Sequence, residues 1–201
     1  MRIITVASQK GGAGKTSLVI HLAVALAQTG RRVAVLDSDP QGSLSRWTEL
    51  RKRTRDRAAI VHAQAEGWKL PSVAGGLKRK AEILLIDTPP HAETAARAAI
   101  RLADQVLVPV QPSPMDVWAA DASLKIAAAE RVPALVVLNR VPPRGRLTDE
   151  TLAALDGVGI AAARIGNRAA FAAALTRGLG VTESEPRSKA AAEITALSEE
   201  V

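Results

Sequence analysis

The chain of 201 residues has no cysteine and no tyrosine, one phenylalanine and three tryptophans. Without thiols there is no disulfide, and no thiolate-ligated zinc or iron–sulfur cluster. The absence of cysteine also fits the cytoplasm, which is the expected compartment. An aromatic fraction of 2% leaves alanine and the aliphatic residues to fill the core. It argues against a single-strand nucleic-acid binder, which needs rings on which bases stack. No run of about 18 or more apolar residues occurs, so no membrane span is expected. Nor is there a basic-then-apolar leader, because Met1-Arg2 runs straight into an apolar stretch.

What is present is globular: 47% hydrophobic and 23% charged residues, at a length that suits one domain over residues 1–201. The formal net charge of +7 points to a polyanionic partner, although an Arg- and Ala-rich composition produces the same excess without one. Apolar strand patterns alternate with helical ones along the chain. That predicts an α/β fold, a mostly parallel twisted sheet of about seven strands with helices on both faces. The expected strands are residues 2–7, 32–36, 59–62, 83–86, 104–110, 134–138 and 160–165.

The sequence is organised around residues 9–16, Gln-Lys-Gly-Gly-Ala-Gly-Lys-Thr. An apolar strand precedes them and a helical pattern over 15–28 follows, with Leu18, Leu22, Ala25 and Leu26 at helical spacing. Strand, glycine-rich loop and helix form a phosphate cradle. The glycines let backbone N–H groups turn toward an anion, and the helix N-terminus adds partial positive charge. Gly11, Gly12, Ala13, Gly14, Lys15, Thr16 and Ser17 are the candidate nucleotide contacts. Lys15 can reach the β- and γ-phosphates, and the Thr16 hydroxyl can ligate Mg²⁺. Gln9 stands where the usual pattern has glycine, and Lys10 is an added cation.

Two further stretches carry carboxylates at strand ends, where ligands sit in open α/β sheets. Asp37-Ser-Asp39-Pro-Gln follows the second strand. One of its carboxylates can hold Mg²⁺ and the other can orient an attacking water; a turn that closes the strand is the plain reading. Ile83 to Ile86 end in Asp87, a buried strand with a metal-holding carboxylate at its tip. Asp37, Asp87 and Thr16 are therefore the candidate metal ligands. His62 has no partner at metal spacing and reads as structural. The basic run 51–57 reads either as a solvated face or as a nucleic-acid contact. Pro112 and Pro114 fix an extended connection, with Asp116 as a candidate N-cap of the next helix.

The loop K-G-G-x-G-K-T resembles the deviant Walker A motif of the ParA/MinD ATPases. The stretches D-x-D-P-Q-G at 37–42, D-T-P-P at 87–90, P-S-P-M-D at 112–116 and the 168–183 segment resemble the same family, so the likeness covers nearly the whole chain. It implies a three-layer P-loop NTPase fold and hydrolysis of ATP with Mg²⁺ as cofactor. It implies that Lys10 crosses a nucleotide-sandwiched homodimer to the partner's phosphates, that Lys15 binds phosphate, and that Asp39 activates water. It places Asn139 at the adenine edge, with Arg140 beside it, and Pro112 near the nucleotide. It further implies nonspecific DNA binding on the nucleoid through Arg164, Arg168, Arg177 and Arg187. A ParB-like or adaptor partner and a plasmid or chromosomal cargo go with it. A MinD-like membrane ATPase is the alternative, but residues 190–201 are acidic and weakly apolar, poor for an anionic membrane. A metabolic P-loop enzyme is another, but no second substrate constellation is present.

Overall fold

Six strands carry the apolar runs: β1 (Arg2–Val6), β2 (Val33–Asp37), β3 (Ile60–Gln64), β4 (Ile83–Asp87), β5 (Gln105–Val110) and β6 (Ala134–Leu138). The computed structural model describes residues 1–54, 57–143, 146–155 and 157–201. Every strand pair is parallel, in the order β3-β2-β4-β1-β5-β6. A parallel sheet is covered on both faces, so its strands are apolar throughout. In β4 the alternation sorts the side chains: Ile83 and Leu85 pack into one layer, Leu84 and Ile86 into the other.

The first layer holds α1 (Lys15–Gln28), α2 (Ser43–Lys52) and a C-terminal group, with α1 buried along most of its length. The opposite layer holds α3 (Leu70–Leu77), preceded by a 3-10 turn at Gly67–Lys69, then α4 (Glu93–Ile100) and α5 (Pro114–Ala129). A short α6 (Leu147–Ala154) packs on α5. The C-terminal group is α7 (Ala169–Leu175), α8 (Val181–Ser184) and α9 (Lys189–Glu200), which close over α1.

The expected seventh strand, residues 160–165, is not one. It touches the sheet edge at isolated parallel bridges, Val136 with Ile160 and Val141 with Gly166, and through Ile165 N, which donates to Leu138 O at 2.9 Å. Between them the backbone turns to α9, where the Glu200 carboxylate accepts from Ala162 N at 2.9 Å and Ala163 N at 2.7 Å. A side chain takes the donors that a ladder would use. Asp116 is likewise not the cap of α5. Ser113 is, its Oγ accepting from Asp116 N at 3.2 Å.

The basic run 51–57 is not uniformly solvated. Arg51 is only 7% exposed and forms a bidentate pair with Glu183 of α8, at 2.9 and 2.8 Å. Its guanidinium lies 5.3 Å from the Trp47 ring. Gly178 makes this junction possible: its φ is +67°, and a Cβ there would stand 2.7 Å from Arg51 N. Arg55 and Asp56 of the run, and Arg144, lie outside the described residues.

Candidate functional site

The C-terminal ends of β1, β2 and β4 converge on the loop between β1 and α1. Gly14 caps α1 in the left-handed region, φ +91°. A side chain there would also strike Asn139, whose Nδ2 lies 2.4 Å from the site of a Cβ. That amide donates to Ala13 O at 2.8 Å and its Oδ1 accepts from Arg140 N at 3.0 Å. Asn139 therefore holds the loop from β6, and a purine edge would have to share it. Gln111, which sequence reasoning missed, does the same from β5, donating to Gly12 O at 3.0 Å.

Lys15 is buried, with Nζ donating to Ser8 O at 3.0 Å and Lys10 O at 3.2 Å. Burial pulls its pKa down, and the nearby carboxylates of Asp87 and Asp39 push back. The ammonium rests on backbone carbonyls that a phosphate oxygen would replace. Lys10 points the other way. Its Nζ meets Asp116 Oδ2 at 2.5 Å, the lysine side chain 36% exposed and the aspartate 3%. Ser113 Oγ donates to the same carboxylate oxygen. The Ser-x-x-Asp spacing at 113–116 was the signal for this arrangement.

Asp87 and Asp37 are direct register partners on β4 and β2. Asp87 Oδ2 accepts from Thr16 Oγ1 at 2.6 Å, while its Oδ1 is buried without a partner. Burial pushes the Asp87 carboxyl up to about 7; the Thr16 hydroxyl opposes this, Asp37 adds to it, and Lys15 opposes it. A divalent cation would satisfy the orphan oxygen and remove that penalty. Among the described residues no cage of three or more His, Cys, Asp or Glu exists. Mg²⁺ suits this donor set, because it takes one or two protein oxygens and fills its octahedron with phosphates and water. Thr16 and Asp87 are the residues that fit it.

Asp37, expected as a ligand, is fully buried and otherwise engaged. Its Oδ2 accepts from Ser45 N at 2.8 Å and Ser45 Oγ at 2.7 Å, and its Oδ1 accepts from Asp39 N at 3.1 Å. It satisfies an orphan donor in the first turn of α2 and shapes the loop that carries Asp39. Asp39 is half-buried, its Oδ1 accepting from Gln41 N at 2.9 Å. It lines a cleft of 370 Å³ between that loop and Pro89-Pro90. The second loop is tied to the first glycine-rich one: His91, at φ +53°, donates from its N–H to Gln9 O at 3.2 Å.

A second cavity of 370 Å³ opens beside the loop. Gly14, Ser17, Asn139, Arg140 and residues 165–169 line it, with Phe171 and His21 at the helical end. Its size and apolar walls suit a planar base. Arg140 is exposed at φ +53°. Pro112 is buried and does not line this cavity; its neighbour Gln111 is the residue that reaches the loop. His21, also unforeseen, accepts from Val181 N at 3.1 Å through Nδ1, and its buried Nε2 has no partner.

The four C-terminal arginines do not form one set. Arg164, Arg177 and Arg187 are exposed. Arg168 is held by Glu193, Nε at 3.1 Å from both carboxylate oxygens, so its charge is largely neutralised in place. No helix among the described residues is long and apolar enough to cross a membrane.

Comparison with known proteins agrees with this geometry. The family model for the CobQ/CobB/MinD/ParA nucleotide binding domain matches residues 4–181. The chain is 29% identical to the maintenance of carboxysome distribution protein A of Halothiobacillus neapolitanus, over 94% of this chain and 91% of that protein. It is 32% identical to protein virC1 of Rhizobium rhizogenes, over 89% of this chain and 82% of that one. The solved structure of Cyanthece apo McdA superposes with a TM-score of 0.82 at 20% identity, covering 99% of this chain and 98% of the other.

Proposed function

The chain belongs to the CobQ/CobB/MinD/ParA nucleotide-binding family, and we propose that it is a Mg²⁺-dependent ATPase of the ParA/MinD positioning class. It binds ATP with Lys15 and the loop amides on the phosphates, Thr16 and Asp87 toward the metal, and the base in the cavity beside Asn139. Thr16 and Asp87 would hold Mg²⁺, which would supply charge neutralisation at the phosphates. Asp39 orients the attacking water from the cleft between the two loops. Nonspecific duplex DNA and an adaptor protein are the partners in this reading, and a large cargo is released or retained according to the nucleotide.

One observation carries the dimeric part of the reading. Lys10 is not used by its own phosphate loop: its side chain leaves the loop for Asp116 at the start of α5. Beside it Met115 and Trp118 are 62% and 67% exposed, an apolar surface that a second copy would cover. A lysine so placed would exchange Asp116 for the phosphates of a facing subunit. Light scattering with ATP and Mg²⁺ tests this. The wild type should double in mass, whereas Lys10→Ala should bind ATP within about threefold of wild type, because it removes no contact of the loop itself, yet stay monomeric. An ATP-dependent dimer of Lys10→Ala would sink the sandwich.

A further inference from the structure

The cavity on the β3 edge shares no lining residue with the cavity beside the phosphate loop or with the Asp39 cleft. It measures 280 Å³ and is formed by the end of α2 and the start of β3. Lys52, Arg57 and His62 line it with the hydroxyl-bearing Thr48 and Thr54, and no described Asp or Glu does. Lys52 and Arg57 are exposed. The Lys52 partner, Glu49, is equally exposed at 64%, a surface pair of little strength.

Two basic segments far apart in sequence meet here. Thr54 Oγ1 donates to Arg177 O at 3.5 Å, and Gly178 packs on the backbone of Leu50 and Arg51. Arg53 and Arg177, both exposed, add two cations at this junction. Arg51 forms its floor but is spent: its guanidinium donates to Glu183, Gly178 O and Ala58 O. The inner wall leads back to the loop after β2. Ser45 Oγ gives its proton to Asp37 Oδ2 at 2.7 Å, so at 3.0 Å it accepts from His62 Nε2–H. A hydrogen-bond chain thus joins the cavity to the carboxylate that shapes the Asp39 loop.

We propose that this cavity is a phosphodiester-binding site for duplex DNA, with Lys52 and Arg57 as its contacts and Arg53 and Arg177 as their extension. The proposal rests on the reading that the protein holds DNA. It relocates the grip from the C-terminal arginines as a set to the junction of α2, β3 and the α7–α8 turn. A compact anion such as free phosphate would need converging donors, and the fixed guanidinium of Arg51 already has four of its five N–H donors engaged. The exposed cations Lys52, Arg53, Arg57 and Arg177 come instead from two adjoining segments, a spread that suits the successive phosphates of a duplex. No exposed ring or base-reading element lines the cavity, so contact is indifferent to sequence.

The test is fluorescence anisotropy on a random duplex of about 20 base pairs, with ATP and Mg²⁺, over a salt series. Lys52→Ala/Arg57→Ala should weaken binding about tenfold and flatten the salt slope by about two. Its ATP affinity and melting temperature should match wild type, since neither residue touches the phosphate loop or the core. Arg57→Lys, which keeps the charge, should bind like wild type. The chain has three histidines, so the ring signals of His62 are readily assigned. They should shift on adding duplex while those of His21 stay fixed. Wild-type affinity and slope in the double variant, or an unmoved His62 at saturation, overturns the site alone. A wild type that binds no duplex in any nucleotide state overturns the DNA reading itself.

Discussion

Asp39 and Asp37 stand two residues apart and have different tasks. Asp37 has both oxygens engaged inside the fold, and Asp39 faces the cleft between the two loops. A carboxylate that positions water acts on the transition state more than on the bound substrate. Asp39→Ala should therefore lower turnover about a hundredfold or more and leave ATP affinity within about threefold. A steady-state phosphate-release assay beside calorimetry reads both, and wild-type turnover would move the role elsewhere. This division was only half legible in the sequence. The spacing announced two carboxylates at a strand end, but nothing local announced that Ser45 would occupy one of them. The glycine-rich loop was fully legible, because its chemistry lies in consecutive residues. The hold of Asn139 on the loop, and Gln111 altogether, were obscure for the opposite reason: they reach the loop from more than 90 positions away.

At the scale of elements, strands were read more securely than their edges. Aliphatic runs such as Leu84 to Ile86 bury on both faces and admit no other reading. Residues 160–165 have a similar pattern, yet their middle amides are claimed by Glu200, a partner that alternation cannot reveal. The junction of α2 with the α7–α8 turn was equally hidden. Arg51 looked like one cation among several, and its burial follows from Glu183 on a distant helix. That junction depends on a residue with no side chain. Gly178→Ala would force a Cβ against Arg51 N and Leu50 C at a left-handed φ, and should lower stability by about 2–4 kcal/mol. A urea titration reads this directly; an unshifted midpoint would show that α2 is free to move away.

For the whole molecule, pH acts through buried groups. Burial depresses the pKa of His21 from 6.5 to about 4, against a smaller opposing pull from the Phe171 backbone. The unfolded chain takes up this proton near 6.5 and the folded one resists it. The stability it contributes is present above pH 6.5 and lost as pH falls toward 4, up to about 3 kcal/mol. Asp87 has the opposite sign, since its raised pKa favours the folded state at low pH. Comparing urea midpoints at pH 7 and 4.5 in the wild type and in His21→Asn isolates the histidine. The variant should lose less stability on acidification, and equal losses would refute its role. The pairing of Lys10 with Asp116 has a consequence at this scale too. A solitary copy keeps its own lysine occupied, so in the proposed dimer two such pairs must open together. The amount of assembled species then follows the square of the density of loaded copies. Doubling that density locally quadruples assembly, and a shallow gradient along a surface becomes a steep boundary.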